Sequence, residues 1–425
     1  MNEAESEALK ILLKEKGWLE ARSSDNADAV ILNTCSVRQT AENRLWGRIG
    51  YYKHEKKEHD FKLAVMGCMA ERLKDSILKK VPEIDLIVGN FQKHRAVDYL
   101  EDSFSGSSNY EYTEPGEYNF FKKHSNENFK AFIPIMHGCN NFCTYCIVPY
   151  VRGREVSRSP EDILKEIEKL ESENVKEITL LGQNVNSYLY RNKGETTDFA
   201  SLLKMITDNI HTIKWVRFLT SHPKDLSDRV IEIIKEKKVL CNQIHLPVQH
   251  GSNKILKAMK RGYTRESYIS LTEKIRKKLE GVSITTDILI GFPGETEEDL
   301  HLTMDLMKRV EYEDAFTYYY NPREGTKAFE LGDTVLHKVK TERLRRIIEL
   351  QNELTRKKKM KKIGQNMRVL AEKLSKKNSS EILARTEFND MVVFPGSEKL
   401  IGNFVMVKIK KLSGNTLIGE EIPHA

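Results

Sequence analysis

Between residues 131 and 322, six apolar runs recur at 131–137, 177–184, 215–222, 243–249, 284–292 and 315–322. Short runs rich in β-branched and aromatic residues read as strands buried on both faces. Strands of that kind alternating with helices build a parallel sheet. Six strand–helix units amount to a β/α barrel, complete or partial, and such barrels carry their sites at the carboxyl ends of the strands. The stretches between the runs supply the helices. Ser159, followed by Pro160 and by Asp162 three positions on, is a helix start. Further helices are expected over 199–209, 228–238, 265–279 and 297–310.

The same alternation, on a smaller scale, precedes the barrel. An amphipathic helix over 3–16 is followed by apolar strands at 28–34, 61–67 and 83–90. Cys35 and Cys68 stand directly after the first two of these strands. In a parallel sheet that edge binds ligands, so the two thiols can converge; two buried structural cysteines are the plainer alternative. Residues 101–130 are rich in Ser, Asn, Gly and Glu without a period and read as a linker. After the barrel comes a basic helix over 342–362, then period-two apolar runs that predict a small all-β, OB-like module. The fold class is therefore α/β with three units: 1–102, a parallel α/β sheet domain; 125–355, a partial (β/α)6 barrel; and 358–422, the β module. A chain of 425 residues suits two to three domains.

Composition removes several classes of protein. No apolar run reaches the ~18–20 residues that span a bilayer, and no signal peptide is visible, so a cytoplasmic location without membrane contact is expected. Six cysteines are too few for a disulfide framework in a chain of this length, and clustered thiols then read as metal or redox ligands. The net charge of +7 is weak evidence for a polyanionic partner, because most such charge is solvated surface.

The clustered thiols are Cys139, Cys143 and Cys146, in "GCNNFCTYCIVPY" directly after the first barrel strand. A tetrahedral site wants four ligands, and an open fourth position is a site for chemistry. Three thiolates could hold zinc or a [4Fe–4S] cluster. Catalytic zinc usually mixes in His or carboxylate, so an all-thiolate set favours iron–sulfur and leaves one iron for a non-protein ligand. Arg152 and Arg154 nearby read as surface charge, His245 and His250 as core or rim packing, and Cys241 as a buried structural thiol.

The spacing Cys139-x3-Cys143-x2-Cys146, with Tyr145 before the last cysteine, resembles the signature of radical S-adenosylmethionine (SAM) enzymes. "ILNTCSVR", "VMGCMAER", "LGQNVNSY", "HLPVQHGSNKILKAMKRGYT", "TDILIGFPGET" and "NPREGT" extend the resemblance over essentially the whole chain, to the methylthiotransferase family of those enzymes. The module around "FPGSEKLIGNFVMVKI" resembles the RNA-binding TRAM domain. The resemblance implies two [4Fe–4S] clusters and SAM as cofactors. Cys139, Cys143 and Cys146 would hold the cluster whose free iron chelates SAM, and Cys35 and Cys68 would be two of three ligands of an auxiliary cluster. Tyr145, Gly182, Gln183, Gly291 and Glu295 would contact SAM; for the glycine-containing turns, ordinary turn geometry is an equal reading. Family members begin with a strand and a stretch like Tyr-Gly-Cys-Gln-Met-Asn, whose cysteine is the third auxiliary ligand. The opening "MNEAESEA" aligns with its end, so that ligand and that strand are expected to be absent, from a start assigned at an internal methionine, with a sheet edge exposed as a result.

Within the family, "LGQNVNSY" and "YNPREGTKA" resemble the branch that converts N6-isopentenyladenosine at position 37 of tRNA to its 2-methylthio derivative. Asn321 departs from the usual Tyr-Ser-Pro-Arg of that segment. The other branches act on threonylcarbamoyladenosine in tRNA or on an aspartate of a ribosomal protein. A non-catalytic cluster-carrying RNA-binding protein, or a zinc protein, is the alternative of another class. The implied chemistry is radical: one SAM methylates a sulfur at the auxiliary site, and a second is cleaved reductively to activate C2 of the adenine. The implied partners are the tRNA anticodon loop and an electron donor such as a flavodoxin or ferredoxin, with the enzyme itself a monomer.

Overall fold

The computed structural model describes residues 1–36, 39–106 and 129–422. The N-terminal unit is a parallel three-stranded sheet of β1 (Ala29–Thr34), β2 (Lys62–Gly67) and β3 (Leu86–Val88), in that order. β2 shows why it forms. Leu63 and Val65 join one apolar cluster, with Leu45, Ile49 and Met69, while Ala64 and Met66 join another, with Leu9, Val97 and Leu100. Alternate side chains thus feed the two helix layers, as a doubly covered strand requires. Of the expected linker, Glu101 to Phe104 instead close the helix Ala96–Phe104, whose Tyr99 and Leu100 are buried. Residues 107–128 of that stretch lie outside the described residues.

The six expected barrel strands are all present. β4 (Lys130–Pro134) leads through β5 (Met136–His137) into the cysteine loop, which returns as β6 (Val156–Ser157), paired antiparallel to β5. β7 (Glu177–Leu181) follows, then a polar hairpin of β8 (Leu189–Asn192) and β9 (Glu195–Asp198), then β10 (Trp215–Phe218), β11 (Gln243–His245), β12 (Ser283–Ile290) and β13 (Asp314–Tyr319). Two parallel sheets, β10-β7-β4 and β11-β12-β13, meet through the bridge Val216–Leu240. β4 and β13 do not pair, so the barrel is open along that side. The helices cover its outside, and one continuous core runs from Ile133 through Ile178, Val216, Ile244 and Ile288 to Ile347 on the long helix His337–Met360.

The last unit is a closed barrel, β14 (Asn366–Leu374), β15 (Glu381–Thr386), β16 (Met391–Pro395), β18 (Thr416–Glu421) and β17 (Phe404–Ser413), in that spatial order. Val369, Ile382, Val392, Phe394, Val407 and Leu417 fill it. It docks on the amino ends of the large barrel's strands. Trp215 and Cys241 pack there against Leu370 and Phe404, and Arg217 donates to the backbone oxygens of Thr386 (2.8 Å) and Glu387 (2.7 Å). Cys241 is buried as expected, and burial pushes its thiol up to about 12. No helix among the described residues is long and apolar enough to cross a membrane.

Candidate functional site

The ribbon β5–β6 clasps the ends of the cysteine loop. Gly138, at φ +76°, sits so close to the returning chain that a Cβ would lie 2.0 Å from the Arg154 carbonyl oxygen, so only glycine fits. Cys139 N–H donates to the Gly153 oxygen at 3.1 Å, and Cys146 N–H to the Cys143 oxygen at 3.0 Å. Thr144 is the anchor. Its N–H and hydroxyl reach the Met259 and Ala258 oxygens at 3.1 and 2.9 Å, and its own carbonyl accepts from Ala328 N–H at 2.8 Å.

The three sulfurs of this loop face one cavity, but they do not all lie within 4.8 Å of one another. A single tetrahedral zinc, with Zn–S bonds near ~2.3 Å, would gather its sulfurs to about 3.8 Å. The wider spread suits a group of several metal atoms, each taking one cysteine. Burial raises the Cys139 thiol, and burial with the adjacent Cys143 pushes Cys146 up to about 12. Their thiolate forms therefore need a cationic partner, which a metal cluster is.

Cys35 and Cys68 close the same cavity from the N-terminal unit. Thr34 of β1 and Gly67 of β2 are register partners, so the two cysteines leave adjacent strands side by side. Burial works against the Cys68 thiolate, but Arg152 and Lys93 outweigh it and lower the thiol's pKa, with Asn90 Nδ2 at 3.5 Å from the sulfur. Arg152 is thus no surface charge. It is buried, 3.0 Å from the Glu5 carboxylate, which Lys93 also pairs. The cost of burying a guanidinium is offset only by such a partner. Arg154 is exposed, with its guanidinium carbon 4.3 Å from the Phe142 ring centroid.

The cavity measures about 650 Å³ and also takes Tyr145, Gly182 and Gln183 into its walls. Gly291 and Glu295 are not among its lining residues. The chain after β12 folds back on the long helix instead, where Glu295 pairs with Arg343 (2.9 Å) and His250 (3.2 Å), and Gly291 abuts Lys340. His250 is accordingly core, whereas His245 lines the cavity.

Sequence reasoning passed over several residues of the site. Arg261 is buried and donates to Cys143 Sγ at 3.3 Å and to the Pro247 oxygen at 2.8 Å, with Tyr145 Oη at 3.4 Å. It has no sequence spacing to any cysteine; only the fold brings it there. Three residues of the cavity wall each carry a buried polar atom with no hydrogen-bond partner among the described residues: Gln183 Oε1, Ser221 Oγ and His222 Nε2. His222 Nδ1 accepts from Lys224 N–H at 3.3 Å, so the other nitrogen carries the proton. An acceptor, a hydroxyl and a donor thus stand unpaired in the wall of the cavity that the cysteines also line, a set that fits the polar groups of SAM. The far end of the cavity is lined by Phe388, Asn389 and Asp390 of the small barrel, so all three units share it.

Three family profiles match in succession. They are the uncharacterized protein family UPF0004 over residues 1–89, the radical SAM superfamily over 133–307 and the TRAM domain over 360–422. Among curated proteins, the tRNA-2-methylthio-N(6)-dimethylallyladenosine synthase of Treponema denticola is 46% identical, over 98% of this chain and 96% of that protein. The enzyme of the same name from Clostridium botulinum is 45% identical, over 99% and 95%. Among solved structures, the radical SAM methyltransferase TsrM of Kitasatospora setae, with cobalamin and a [4Fe-4S] cluster bound, superposes with a TM-score of 0.57 at 13% identity. That match covers 76% of this chain and 70% of that one, and it speaks to the fold alone.

Proposed function

The chain belongs to the family of tRNA-2-methylthio-N(6)-dimethylallyladenosine synthases, radical SAM methylthiotransferases, and from that premise we propose which of its residues perform the reaction. Cys139, Cys143 and Cys146 hold the [4Fe–4S] cluster that binds SAM, and Cys35 and Cys68 belong to the second, sulfur-bearing cluster. When bound, these groups supply the one-electron chemistry that breaks an unreactive C–H bond of the base and the sulfur that replaces the hydrogen. The observation that carries this reading is the convergence of all five cysteines, from two domains, on one cavity.

The chain's own residues bind, orient and shield. Arg261 donates a hydrogen bond to a ligand sulfur and fixes Tyr145 beside it. Gln183, Ser221 and His222 offer hydrogen bonds to the polar groups of SAM. Leu219, Pro247 and Val148 give the same walls an apolar surface that keeps water from the reacting carbon. The target base, prenylated adenine at position 37, reaches the cavity from a single-stranded loop, whose bases can be splayed out onto protein. The small barrel contributes to that grip on RNA. Electrons come from a small redox protein of the flavodoxin or ferredoxin kind, and a tRNA substrate places the work in the cytoplasm.

Protein purified without oxygen and reconstituted with iron and sulfide tests the assignment. Cys143→Ala should lose the iron of one cluster and all reductive SAM cleavage. Cys68→Ala should lose iron from the other site and still cleave SAM. A Cys143→Ala protein that forms 5′-deoxyadenosine at the wild-type rate would exclude this role for the loop.

A further inference from the structure

Of the exposed large apolar side chains among the described residues, Phe316 alone lines the cavity, and half its surface (51%) is open. A barrel of this kind otherwise fills its interior with packed side chains, so an open ring inside it is a surface kept for a ligand. The ring is rigidly backed. His245 meets it edge-on, centroids 5.8 Å apart and planes at 75°. The imidazole is itself pinned, Nδ1 3.0 Å from Thr285 Oγ1 and Nε2 3.3 Å from Asp287 Oδ2. Asp287 and Phe316 are register partners on β12 and β13.

The access and the charge narrow the occupant. β13 is the edge strand at the open side of the barrel, so no further strand closes the cavity there. Asp287 is the register partner of Phe316, and Asp314 stands two positions before it on the same strand, with Lys359 of the long helix acting on Asp314. Their carboxylates accept hydrogen bonds from N–H groups. A flat, uncharged ring bearing an exocyclic amine meets all three conditions. We propose that Phe316 is the stacking surface for the target adenine, with Asp287 accepting from its N6–H, which survives prenylation. The inference rests on the tRNA-modifying reading above and adds the residues that orient the base in the cavity.

The test is a coupling measurement on reconstituted holoenzyme without oxygen. Two anticodon stem-loop RNAs are compared, one carrying N6-isopentenyladenosine at the target position and one abasic there. Phe316→Leu keeps the apolar volume and removes the ring; Phe316→Tyr keeps the ring. Phe316→Leu should weaken the intact RNA by about tenfold to a hundredfold, the range of a lost base–aromatic stack, and leave the abasic RNA unchanged. Phe316→Tyr should bind both like the wild type. Iron content equal to wild type in each variant certifies the fold. Equal weakening of both RNAs by Phe316→Leu, or no weakening of either, overturns the proposal. Failure of the tRNA reading itself would show separately, as a wild-type protein that does not distinguish the stem-loop from an unrelated RNA.

Discussion

Arg261 is the residue whose chemistry the sequence hid and the fold exposes. Its hydrogen bond to Cys143 Sγ, at 3.3 Å, stabilises negative charge on a ligand sulfur. Charge grows there on reduction, so the bond favours the reduced cluster. Replacing it by methionine should lower the reduction potential of that cluster by on the order of 50 mV, the equivalent of about 1 kcal/mol for one electron. An electron paramagnetic resonance titration reads this directly, and an unchanged potential would remove Arg261 from the account. His222, on the same wall, gives a pH signature. Burial, then Arg261 and Lys224, lower its pKa from 6.5 to about 2, so the folded protein holds it neutral. The unfolded chain binds a proton there below 6.5 and the folded one does not, so stability is lost as pH falls from 6.5 toward the folded value. His137, buried and near Arg152, shifts in the same direction. Thermal midpoints measured at low pH should therefore fall, and His222→Gln should flatten the fall between pH 6.5 and 5.

At the scale of elements, local signals were strong wherever packing and capping agree. Ser159 caps the helix Pro160–Ser172, its hydroxyl accepting from Asp162 N–H at 3.0 Å, as Ser-Pro-x-Asp announces. Ser159→Ala should cost about 1 kcal/mol, seen as a lower urea midpoint. The helices Phe199–Asn209 and Glu297–Val310 begin and end where their apolar period does. The strands run shorter than their apolar runs. The run at 177–184 ends as a strand at Leu181, because the next residues turn to face the cavity. The hairpin β8–β9 was not legible, since "LYRNKGETTD" is polar on both faces and has no period to read. The site divides in the same way. Its cysteines declare themselves by spacing and by standing at strand ends. Arg152, Arg261, His222 and Phe316 do not, because their roles come from contacts as distant as 118 positions (Arg261 with Cys143) and 147 positions (Arg152 with Glu5), or from the shape of the cavity.

Across the whole molecule, the three units act as one site with an N-terminal wall, a barrel wall and a far rim. Arg217 is the tie between the last two. It is buried, paired to Glu177 at 3.0 Å, and bonded to two backbone oxygens of the small barrel. Arg217→Met leaves those oxygens short of a donor, while Glu177 keeps Lys130 at 2.9 Å, at a cost of about 2 kcal/mol. It should make the junction near residue 362 sensitive to protease and weaken tRNA binding; protease resistance equal to wild type would show the docking to be held elsewhere. The reaction is read most directly from its product. tRNA that carries N6-isopentenyladenosine should be incubated without oxygen with the reconstituted enzyme, SAM and a reductant, then digested to nucleosides and resolved by mass spectrometry. The 2-methylthio derivative should appear at the expense of isopentenyladenosine, and Cys143→Ala should produce none. Unchanged isopentenyladenosine with a methylthio group appearing on threonylcarbamoyladenosine, or full conversion by the Cys143→Ala protein, would contradict the assignment.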